Sequence, residues 1–270
     1  MARIVHLTDL HLRSGRASEG SVSAMATGWF RSWGDHARRN LDELFGHLAQ
    51  RTDVDFIVVT GDIASECHPA TYGHLRGLLE PWKDRCLVVP GNHDHRGMVW
   101  TALGEVASAE GVAKGGTLGP CPRRLMGVRD LGEVRVIGLD TLEAGRVCGN
   151  LGDEQRDWLS QELSRSEKPT LLFMHHPPMR VGTWWLDKDL LRDLVPFETH
   201  VRRSPVVAIF AGHVHQEAEG QLGPVPVFAT PSTAYQFPPR SWCPRSARTK
   251  ASYRWIDARR DRVKSHVVRL

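Results

Sequence analysis

Residues 85–95 read RCLVVPGNHDH, a short apolar run followed by a Pro-Gly turn and then by four polar side chains in succession. An abrupt stop in Asp, Asn or His after an apolar run recurs four more times, in RIVHLTDLH (3–11), DFIVVTGD (55–62), TLLFMHH (170–176) and VVAIFAGHVH (206–215). Apolar runs without alternation are typical of strands whose two faces are both buried. The pattern therefore predicts five buried strands with polar residues at their carboxyl ends.

Helical patterns lie between these strands and indicate how the strands pair. The patterns cover residues 36–50, 69–84, 153–164 and 187–195. Strands that alternate with helices pair in parallel through crossover connections. Five further strand candidates lack a following helix and indicate a second, more antiparallel set, at 123–128, 133–139, 225–229, 252–257 and 263–269. We expect an α/β fold, a four-layer α/β/β/α sandwich of two mixed sheets flanked by helices, in one domain that spans residues 1–270.

The composition excludes several classes of protein. The 270 residues are 41% hydrophobic and carry a formal net charge of +4, and no apolar run has the length that a bilayer span requires. The N-terminal MARIVHLTDLHL lacks the basic and long apolar regions of a secretion signal, so we predict a cytoplasmic protein. The five cysteines are scattered and form no C-x-x-C pair, which argues against a zinc site built from thiolates. Metal chemistry would then use His, Asp and Asn.

Much of the positive charge lies after residue 239, where ten Lys and Arg residues face only Asp257 and Asp261. Runs of charge are weak evidence for a partner, because most are solvated surface. Nucleic acid is therefore not favoured as a partner.

Two pairs of polar residues have a spacing that suits metal ligands. Asp9 and His11 are two residues apart, as are His213 and His215, and along an extended chain this spacing projects both side chains to one side. One such pair alone is weak evidence. Ligands in open α/β sheets bind beyond the carboxyl ends of the strands, where all five polar segments lie.

Asp62 follows Gly61 directly after a predicted strand. An Asp in this position is often a helix cap or a turn residue. Among several imidazoles, its two oxygens can instead bridge two cations. Burial of Asp62 beside Asp9 is costly unless cations compensate the two negative charges.

The predicted ligand set has seven members: Asp9, His11, Asp62, Asn92, His175, His213 and His215. Their nitrogen and oxygen atoms suit iron, manganese or zinc better than calcium or magnesium, which prefer oxygen alone. Seven ligands exceed the need of one tetrahedral ion, so we predict two metal ions. Pairs of ions about 3.5–4 Å apart catalyse hydrolysis at phosphorus.

These motifs resemble the signature of the calcineurin-like metallophosphoesterases: D-x-H at 9–11, G-D at 61–62, G-N-H-D at 91–94, His175 after a strand, and G-H-x-H at 212–215. The second half is similar to the bacterial class III cyclic-nucleotide phosphodiesterases, in IGLDT (137–141), LGDEQRDWL (151–159), HHPP (175–178), WWLD (184–187), AGHVHQE (211–217) and ATPSTAYQF (229–237). The resemblance covers nearly the whole chain.

The resemblance implies a role for each ligand. Asp9, His11 and His215 would hold the first metal ion and Asn92, His175 and His213 the second, with Asp62 as the bridge between them. His93 would be catalytic, either stabilising the phosphoryl oxygens or protonating the departing alkoxide. Asp94 would orient His93, although a helix cap is an equal alternative for it. The residues expected to line the substrate site are His11, Asp62, Asn92, His93 and His215.

The expected reaction is in-line attack on a small-molecule phosphodiester by a metal-bridging hydroxide. On a 3',5'-cyclic nucleotide such as cyclic AMP, ring opening would leave the 5'-monophosphate. Two alternatives within this chemistry stay open, namely another small phosphodiester (a glycerophosphodiester or a 2',3'-cyclic nucleotide) and nucleic-acid ends. A catalytically silent scaffold would leave gaps among the seven ligand positions, and the sequence has none.

Several segments keep more than one interpretation. Residues 13–35 are predicted to be a loop insertion, with Trp29, Phe30 and Trp33 on one helical face. This insertion packs on the domain's own surface, covers the substrate as a lid or contacts a hydrophobic partner. Trp184, Trp185 and Asp187 either line a nucleobase pocket or are structural. We expect His176 to hydrogen-bond to a neighbouring ligand. The oligomeric state stays open, a homodimer included.

Overall fold

The structure of the protein is a computed structural model that describes residues 1–14, 24–107 and 124–270. The side chains of residues 24–31 and 107 are not part of this description. The predicted aromatic residues Trp29 and Phe30 therefore lie outside the described side chains. Residues 15–23 of the predicted insertion lie outside the described residues as well. The same is true of Cys121 and of the first residue of the strand predicted at 123–128.

The elements follow one another in this order: β1 (Ala2–Leu7), α1 (Ala24–Ala49), β2 (Phe56–Val59), α2 (Pro69–Leu79), a 3-10 turn (Glu80–Trp82), β3 (Cys86–Val88), α3 (Arg96–Ala107), β4 (Gly127–Asp130), β5 (Arg135–Leu139), α4 (Gly152–Ser164), β6 (Thr170–Met174), α5 (Leu194–Val201), β7 (Val206–Ala211), β8 (Ala218–Leu222), β9 (Val225–Ala229), β10 (Tyr235–Gln236), β11 (Ala247–Arg248), β12 (Ser252–Ala258) and β13 (Val263–Arg269). None of the helices in the described ranges has the length and apolar character to cross a membrane.

Two large mixed sheets form the centre of the molecule. The first has the strand order β13-β12-β1-β2-β3, with β1, β2 and β3 parallel and the other pairs antiparallel. The second has the order β4-β5-β6-β7-β9-β8, in which β5, β6, β7 and β9 are parallel and the two edge strands are antiparallel. The prediction of two mixed sheets is therefore confirmed. The strands expected to form a separate antiparallel set are instead divided between the two sheets, and β5 and β9 pair in parallel with β6 and β7.

Side chains alternate along the strands between two cores. In β1, Val5 and Leu7 pack with residues of α1, α2 and α3, whereas Ile4 packs with Phe173 and Phe210 of the second sheet. The far face of the second sheet packs against α4 and α5 through residues such as Leu159. Since successive strand residues point to opposite faces, a continuous apolar run serves both cores. The layers are helices, sheet, sheet and helices, as predicted.

The helix predicted at 187–195 is wrong. Residues 184–190 form turns, and α5 begins only at Leu194. The leucines that suggested a helix are buried through those turns, and Leu191 forms a β-bridge with Gly149. The carboxylate of Asp193 accepts hydrogen bonds from the backbone N–H groups of Leu151 and Gly152, which ties this segment to the start of α4.

The other helix predictions need smaller corrections. The helix predicted at 36–50 begins at Ala24, so much of the predicted insertion belongs to α1. The helix predicted at 69–84 ends at Leu79 and continues as a 3-10 turn, since Pro81 cannot donate the next helical hydrogen bond. Sequence reasoning missed α3, which starts directly after the GNHDH segment.

Candidate metal centre

The five polar strand ends converge, and three of them adopt an uncommon backbone conformation. Seven non-glycine residues in the described ranges have positive φ, and five of them are predicted ligands: Asp9 (54°), His11 (44°), Asp62 (48°), His213 (69°) and His215 (48°). Asp and His adopt this left-handed conformation more readily than most residues do, and such conformations cluster at functional sites. These residue types therefore suit both the turn and the chemistry.

Asp9, His11 and His215 form the first cluster, and all three are buried. The Nε2 atom of His215 lies 3.2 Å from Asp9 Oδ1 and 2.9 Å from His11 Nε2. Asp9 Oδ2 accepts hydrogen bonds from the Thr8 hydroxyl (2.7 Å) and from the His213 backbone N–H (2.9 Å), so the carboxylate cannot rotate freely. The sequence prediction grouped the same three residues.

The second cluster joins His175, His213 and Asn92. The Asn92 Oδ1 atom lies 3.1 Å from His175 Nε2, and the rings of His175 and His213 are 5.1 Å apart. His175 Nδ1 donates to the backbone carbonyl of Thr60 (2.7 Å), and His215 Nδ1 donates to that of Tyr235 (2.9 Å). Because a carbonyl only accepts, these bonds place the proton on Nδ1 and leave Nε2 free to bind a metal.

Asp62 lies between the two clusters. Its Oδ2 is 3.7 Å from His11 Nε2, and its Oδ1 is 3.4 Å from His175 Nε2. The backbone N–H of His93 donates to Oδ1 at 2.9 Å. The carboxylate therefore presents one oxygen to each cluster.

Charge and burial set the protonation of these histidines. Burial lowers the pKa values of His11 and His213 to about 3, with further lowering by His215 and His175 respectively. Burial would also lower the pKa of His175, but the carboxylates of Asp62 and Asp9 outweigh it and raise that pKa to about 9. The carboxylates of Asp62 and Asp9 thus favour a positive charge on the groups that lie between them.

The chemistry of the donors fits metal ions. Asp9 Oδ1 and His213 Nε2 are buried and have no hydrogen-bond partner in the described part of the chain. Unpartnered buried polar atoms are rare and need an explanation such as an ion. Three groups of His and Asp residues have ligand atoms within 4.8 Å of one another, and two of these groups share Asp9.

His93 is placed differently from the ligands. Its side chain is 49% exposed, its ring lies edge-on to His11 at 5.2 Å, and its Nε2 is 4.0 Å from Asp62 Oδ2. It therefore borders the first cluster on the solvent side, where a bound substrate can reach it.

Asp94 does not orient His93, in contrast to one of its two predicted roles. Its carboxylate accepts hydrogen bonds from the backbone N–H groups of Ile63, Ala64 and Gly91 and from the hydroxyl of Tyr72 (3.2 Å). Burial and the charge of Asp62 raise the pKa of Asp94 to about 7, although the three N–H donors oppose this shift. Asp94 therefore fastens the loop after Asp62 to the loop before Asn92. None of these N–H donors belongs to a helix, so the contacts differ from the predicted helix cap as well.

His176 also differs from the prediction, because its hydrogen bonds go to the surrounding loop and not to a ligand. Its Nδ1 lies 2.7 Å from the Thr141 hydroxyl, and its Nε2 donates to the carbonyl of Val147 at 2.8 Å. The ring packs 4.6 Å from that of His213. The IGLDT motif thus supports the second cluster through Thr141.

Tyr235 is a site residue that sequence reasoning missed as an individual position, although it lies in the quoted ATPSTAYQF motif. Its ring packs 5.1 Å from that of His11 and 4.6 Å from that of His215. Trp33 of α1 packs edge-on against Tyr235 at 5.3 Å, and Arg248 lies over the Trp33 ring. The early part of α1 therefore reaches the surroundings of the first cluster.

The comparison with protein families gives one clear match. Residues 2–217 match the model of the family described as calcineurin-like phosphoesterase.

Curated relatives cover most of the chain. The chain is 30% identical to the 3',5'-cyclic adenosine monophosphate phosphodiesterase CpdA of Vibrio vulnificus over 243 residues, which are 88% of this chain and 79% of that protein. It is 30% identical to the 3',5'-cyclic-nucleotide phosphodiesterase of a Nostoc species, over 88% of this chain and 80% of that protein. The CpdA protein of Escherichia coli K12 is 31% identical over 69% of this chain and 64% of its own length.

Solved structures of similar fold include the purple acid phosphatase PPD1 of yellow lupin, with a TM-score of 0.51 and 14% identity over 99% of this chain and 53% of that one. GAP50 of Plasmodium has a TM-score of 0.52 and 12% identity over 99% of this chain and 84% of that one. These likenesses support the fold. The family match and the curated relatives support an enzyme of the metal-dependent phosphodiesterase class, and the chain belongs to the calcineurin-like phosphoesterase family.

Proposed function

We propose that the protein uses two metal ions to hydrolyse 3',5'-cyclic AMP, or a related cyclic nucleotide, to the 5'-monophosphate. The observation that carries the proposal is the position of Asp62, whose Oδ2 lies 3.7 Å from His11 Nε2 and whose Oδ1 lies 3.4 Å from His175 Nε2. A carboxylate buried between two clusters of imidazoles suits a bridge between two cations.

Each cluster would hold one ion. Asp9, His11 and His215 would bind the first and Asn92, His175 and His213 the second, with Asp62 shared. Iron, manganese or zinc would supply Lewis acidity, which neutralises charge on the phosphoryl oxygens and makes water nucleophilic near neutral pH. Thr8, Thr60 and the backbone of Tyr235 orient the ligands by hydrogen bonds.

His93 would act on the leaving group. Hydrolysis breaks the bond between phosphorus and O3', and that oxygen takes up a proton as it leaves. The half-exposed ring of His93 lies beside His11 and can deliver the proton from Nε2. Asp94 would be a positioning residue, because its hydrogen bonds hold the loops of Asp62 and Asn92 together.

The choice of substrate is supported by the relatives, two of which are named as 3',5'-cyclic AMP phosphodiesterases and one as a 3',5'-cyclic-nucleotide phosphodiesterase. A glycerophosphodiester, a 2',3'-cyclic nucleotide and nucleic-acid ends are the competing substrates. A cytoplasmic location and a single domain stay predictions from sequence, and the oligomeric state stays open.

The test is a comparison of substrates on enzyme of defined metal content. Metal-free protein is loaded with manganese, iron or zinc, and kcat/KM is measured for 3',5'-cyclic AMP, 2',3'-cyclic AMP and a glycerophosphodiester. We expect two equivalents of metal per chain, the highest kcat/KM for 3',5'-cyclic AMP and 5'-AMP as the product. Fewer than one equivalent of metal, with no hydrolysis of bis(p-nitrophenyl) phosphate, would refute the proposal that the protein is a metal-dependent phosphodiesterase. A higher kcat/KM for another diester would refute the substrate alone.

A further inference from the structure

A cavity of about 390 Å³ adjoins the first metal cluster, and His215 forms part of its wall. We call it the Phe237 cavity. Residues 215–217, 231, 236–237, 239 and 269 line it. The Nε2 atom of His215 lies 3.2 Å from Asp9 Oδ1, so the cavity and the first metal cluster share this imidazole ring. A ligand in the cavity would therefore lie within one imidazole ring of the metal centre.

The apolar part of the lining is flat and rigid. Phe237, Pro231 and Pro239 supply it. The Phe237 ring stacks on His215 at 4.5 Å with an interplanar angle of 22°, and it meets Trp185 edge-on at 5.0 Å. Rings fixed in this way favour a flat ligand, because stacking needs no reordering of the side chains.

The polar part of the lining carries hydrogen-bonding groups without net charge. Gln236 contributes a carboxamide, whereas the carboxamide of the buried Gln216 is bonded to Thr183 and Pro238. The Arg269–Glu217 ion pair also lines the cavity. Gln236 Nε2 donates to the carbonyl of Ser232 at 2.6 Å, and no donor in the described part of the chain reaches its Oε1. That oxygen remains an acceptor for an N–H group, as glutamine side chains are for adenine. A neutral, planar group therefore fits this lining better than a negatively charged phosphate group does.

We propose that the Phe237 cavity binds the nucleobase of the substrate while the cyclic phosphate lies at the metal centre, an inference that rests on the proposed function. The ribose would then lie beside His215. The cavity would select nucleotides over diesters that lack a base, because only a base fills the space against Phe237. Trp185, whose ring meets that of Phe237 edge-on, would be a positioning residue that supports Phe237.

Photoaffinity labelling tests the location without turnover. The full-length protein is irradiated with 8-azidoadenosine, which has no phosphate, and the modified peptide is identified by mass spectrometry. We expect labelling within residues 215–217 or 231–239, and we expect excess adenosine to remove it. Labelling elsewhere, or none that adenosine competes away, would overturn the inference. The labelling result can be interpreted even if the protein hydrolyses no phosphodiester. Failure of this inference is therefore distinguishable from failure of the proposed function.

Steady-state kinetics test the selectivity on metal-loaded protein. We expect Phe237→Leu and Gln236→Leu to raise KM for 3',5'-cyclic AMP by about tenfold, the loss expected from one stacking or hydrogen-bonding contact to a base. The same measurement is made with ribose 3',5'-cyclic phosphate, which has no base. The preference for cyclic AMP over this analogue, expressed as a ratio of kcat/KM values, should fall by about the same factor. Gln221→Leu makes the matched change at an exposed position of β8, outside the lining, and we expect it to keep the preference.

Measuring the metal content of the variants distinguishes two roles for Phe237 and Gln236, namely binding the base and supporting the metal centre. We expect Phe237→Leu and Gln236→Leu to retain their metal ions. An equal loss of kcat/KM for both substrates, accompanied by loss of metal, would overturn the inference, since the residues would then serve the metal centre alone.

Discussion

The ligand loops and the outer wall lie side by side but are held by different means. The ligand loops are residues 9–11, 61–62, 91–93 and 213–215, and the outer wall consists of Trp33, Tyr235, Phe237 and Trp185. In the loops the backbone defines the geometry, through positive φ at five ligands and through hydrogen bonds between loops such as His11 N–H to Asp62 O at 2.8 Å. In the wall, partly exposed rings contact one another. Substitutions in the loops should therefore affect the chemistry, and those in the wall should affect mainly the choice of substrate.

The largest expected effect concerns His93, which stands at the border between the two regions. His93→Ala should lower kcat by about a thousandfold, because general acid catalysis contributes about 10²–10⁴. Metal content should stay at the wild-type value, since the backbone N–H of His93 that donates to Asp62 remains in alanine. The measurements are kcat and metal analysis. His95→Ala is the matched control at an exposed histidine two residues away and should keep wild-type activity. Loss of metal with full activity per bound ion would assign His93 to the ligand set.

The next effect comes from a single methyl group in a ligand loop. A Cβ atom on Gly91 would lie 2.2 Å from Asp62 Oδ1 and 2.8 Å from His175 Cε1, so Gly91→Ala must displace the proposed bridge. We expect a fall in kcat/KM of about a hundredfold, as a misplacement of about 1 Å costs in other sites, together with weaker metal binding. Circular dichroism should show a folded protein.

Gly77→Ala is the control for that substitution. Gly77 lies in α2, and a Cβ there would meet no atom within 4 Å. We expect wild-type activity and a free energy of unfolding higher by up to about 1 kcal/mol, from the better helix propensity of alanine. If Gly91→Ala behaved like Gly77→Ala, the rigid geometry assigned to the ligand loops would be wrong.

A smaller effect is expected from the contact that joins two ligand loops. Asp94→Asn keeps the shape but replaces one acceptor oxygen with a donor, which then faces the N–H groups of Ile63, Ala64 or Gly91. We expect kcat/KM to fall about tenfold to a hundredfold, the usual effect of losing a group that orients metal ligands. Tyr72→Phe removes only one donor to Asp94 and should cost less. A metal titration should show weaker binding for Asp94→Asn, whereas wild-type metal affinity in both variants would contradict the positioning role.

The ligand loops were predictable from sequence because each strand end carries its own signal. LTDLH, TGD, PGNHD and AGHVH each combine a buried strand with residues that tolerate positive φ and that bind metal. Every predicted metal ligand lies in or beside one of the two clusters as a result. The strands and their parallel pairing followed from the same apolar runs.

The outer wall was less predictable because its contacts join segments that are distant in sequence. Tyr235 meets His11 across more than two hundred residues, and no local pattern encodes that contact. The leucines at 186–191 have helical spacing, but the β-bridge of Leu191 with Gly149 and the anchoring of Asp193 at α4 override it. Asp94 and His176 bond to other groups than expected for a similar reason, since a carboxylate or imidazole bonds to whichever partner the fold brings near.

The smallest expected effect concerns Trp33, the contact between α1 and the outer wall. An edge-to-face pair of rings contributes about 0.5–1.5 kcal/mol, so Trp33→Ala should loosen Tyr235 without removing a ligand. We expect KM for the substrate to rise a few fold, while kcat and metal content stay close to wild type. Trp184→Ala is the matched control, because Trp184 is 59% exposed and its Nε1 bonds to the carbonyl of Trp242, away from Tyr235. A loss of metal in Trp33→Ala would contradict the distinction between the ligand loops and the outer wall. It would mean that α1 fixes His11 and His215 through Tyr235, and that the wall belongs to the rigid metal centre.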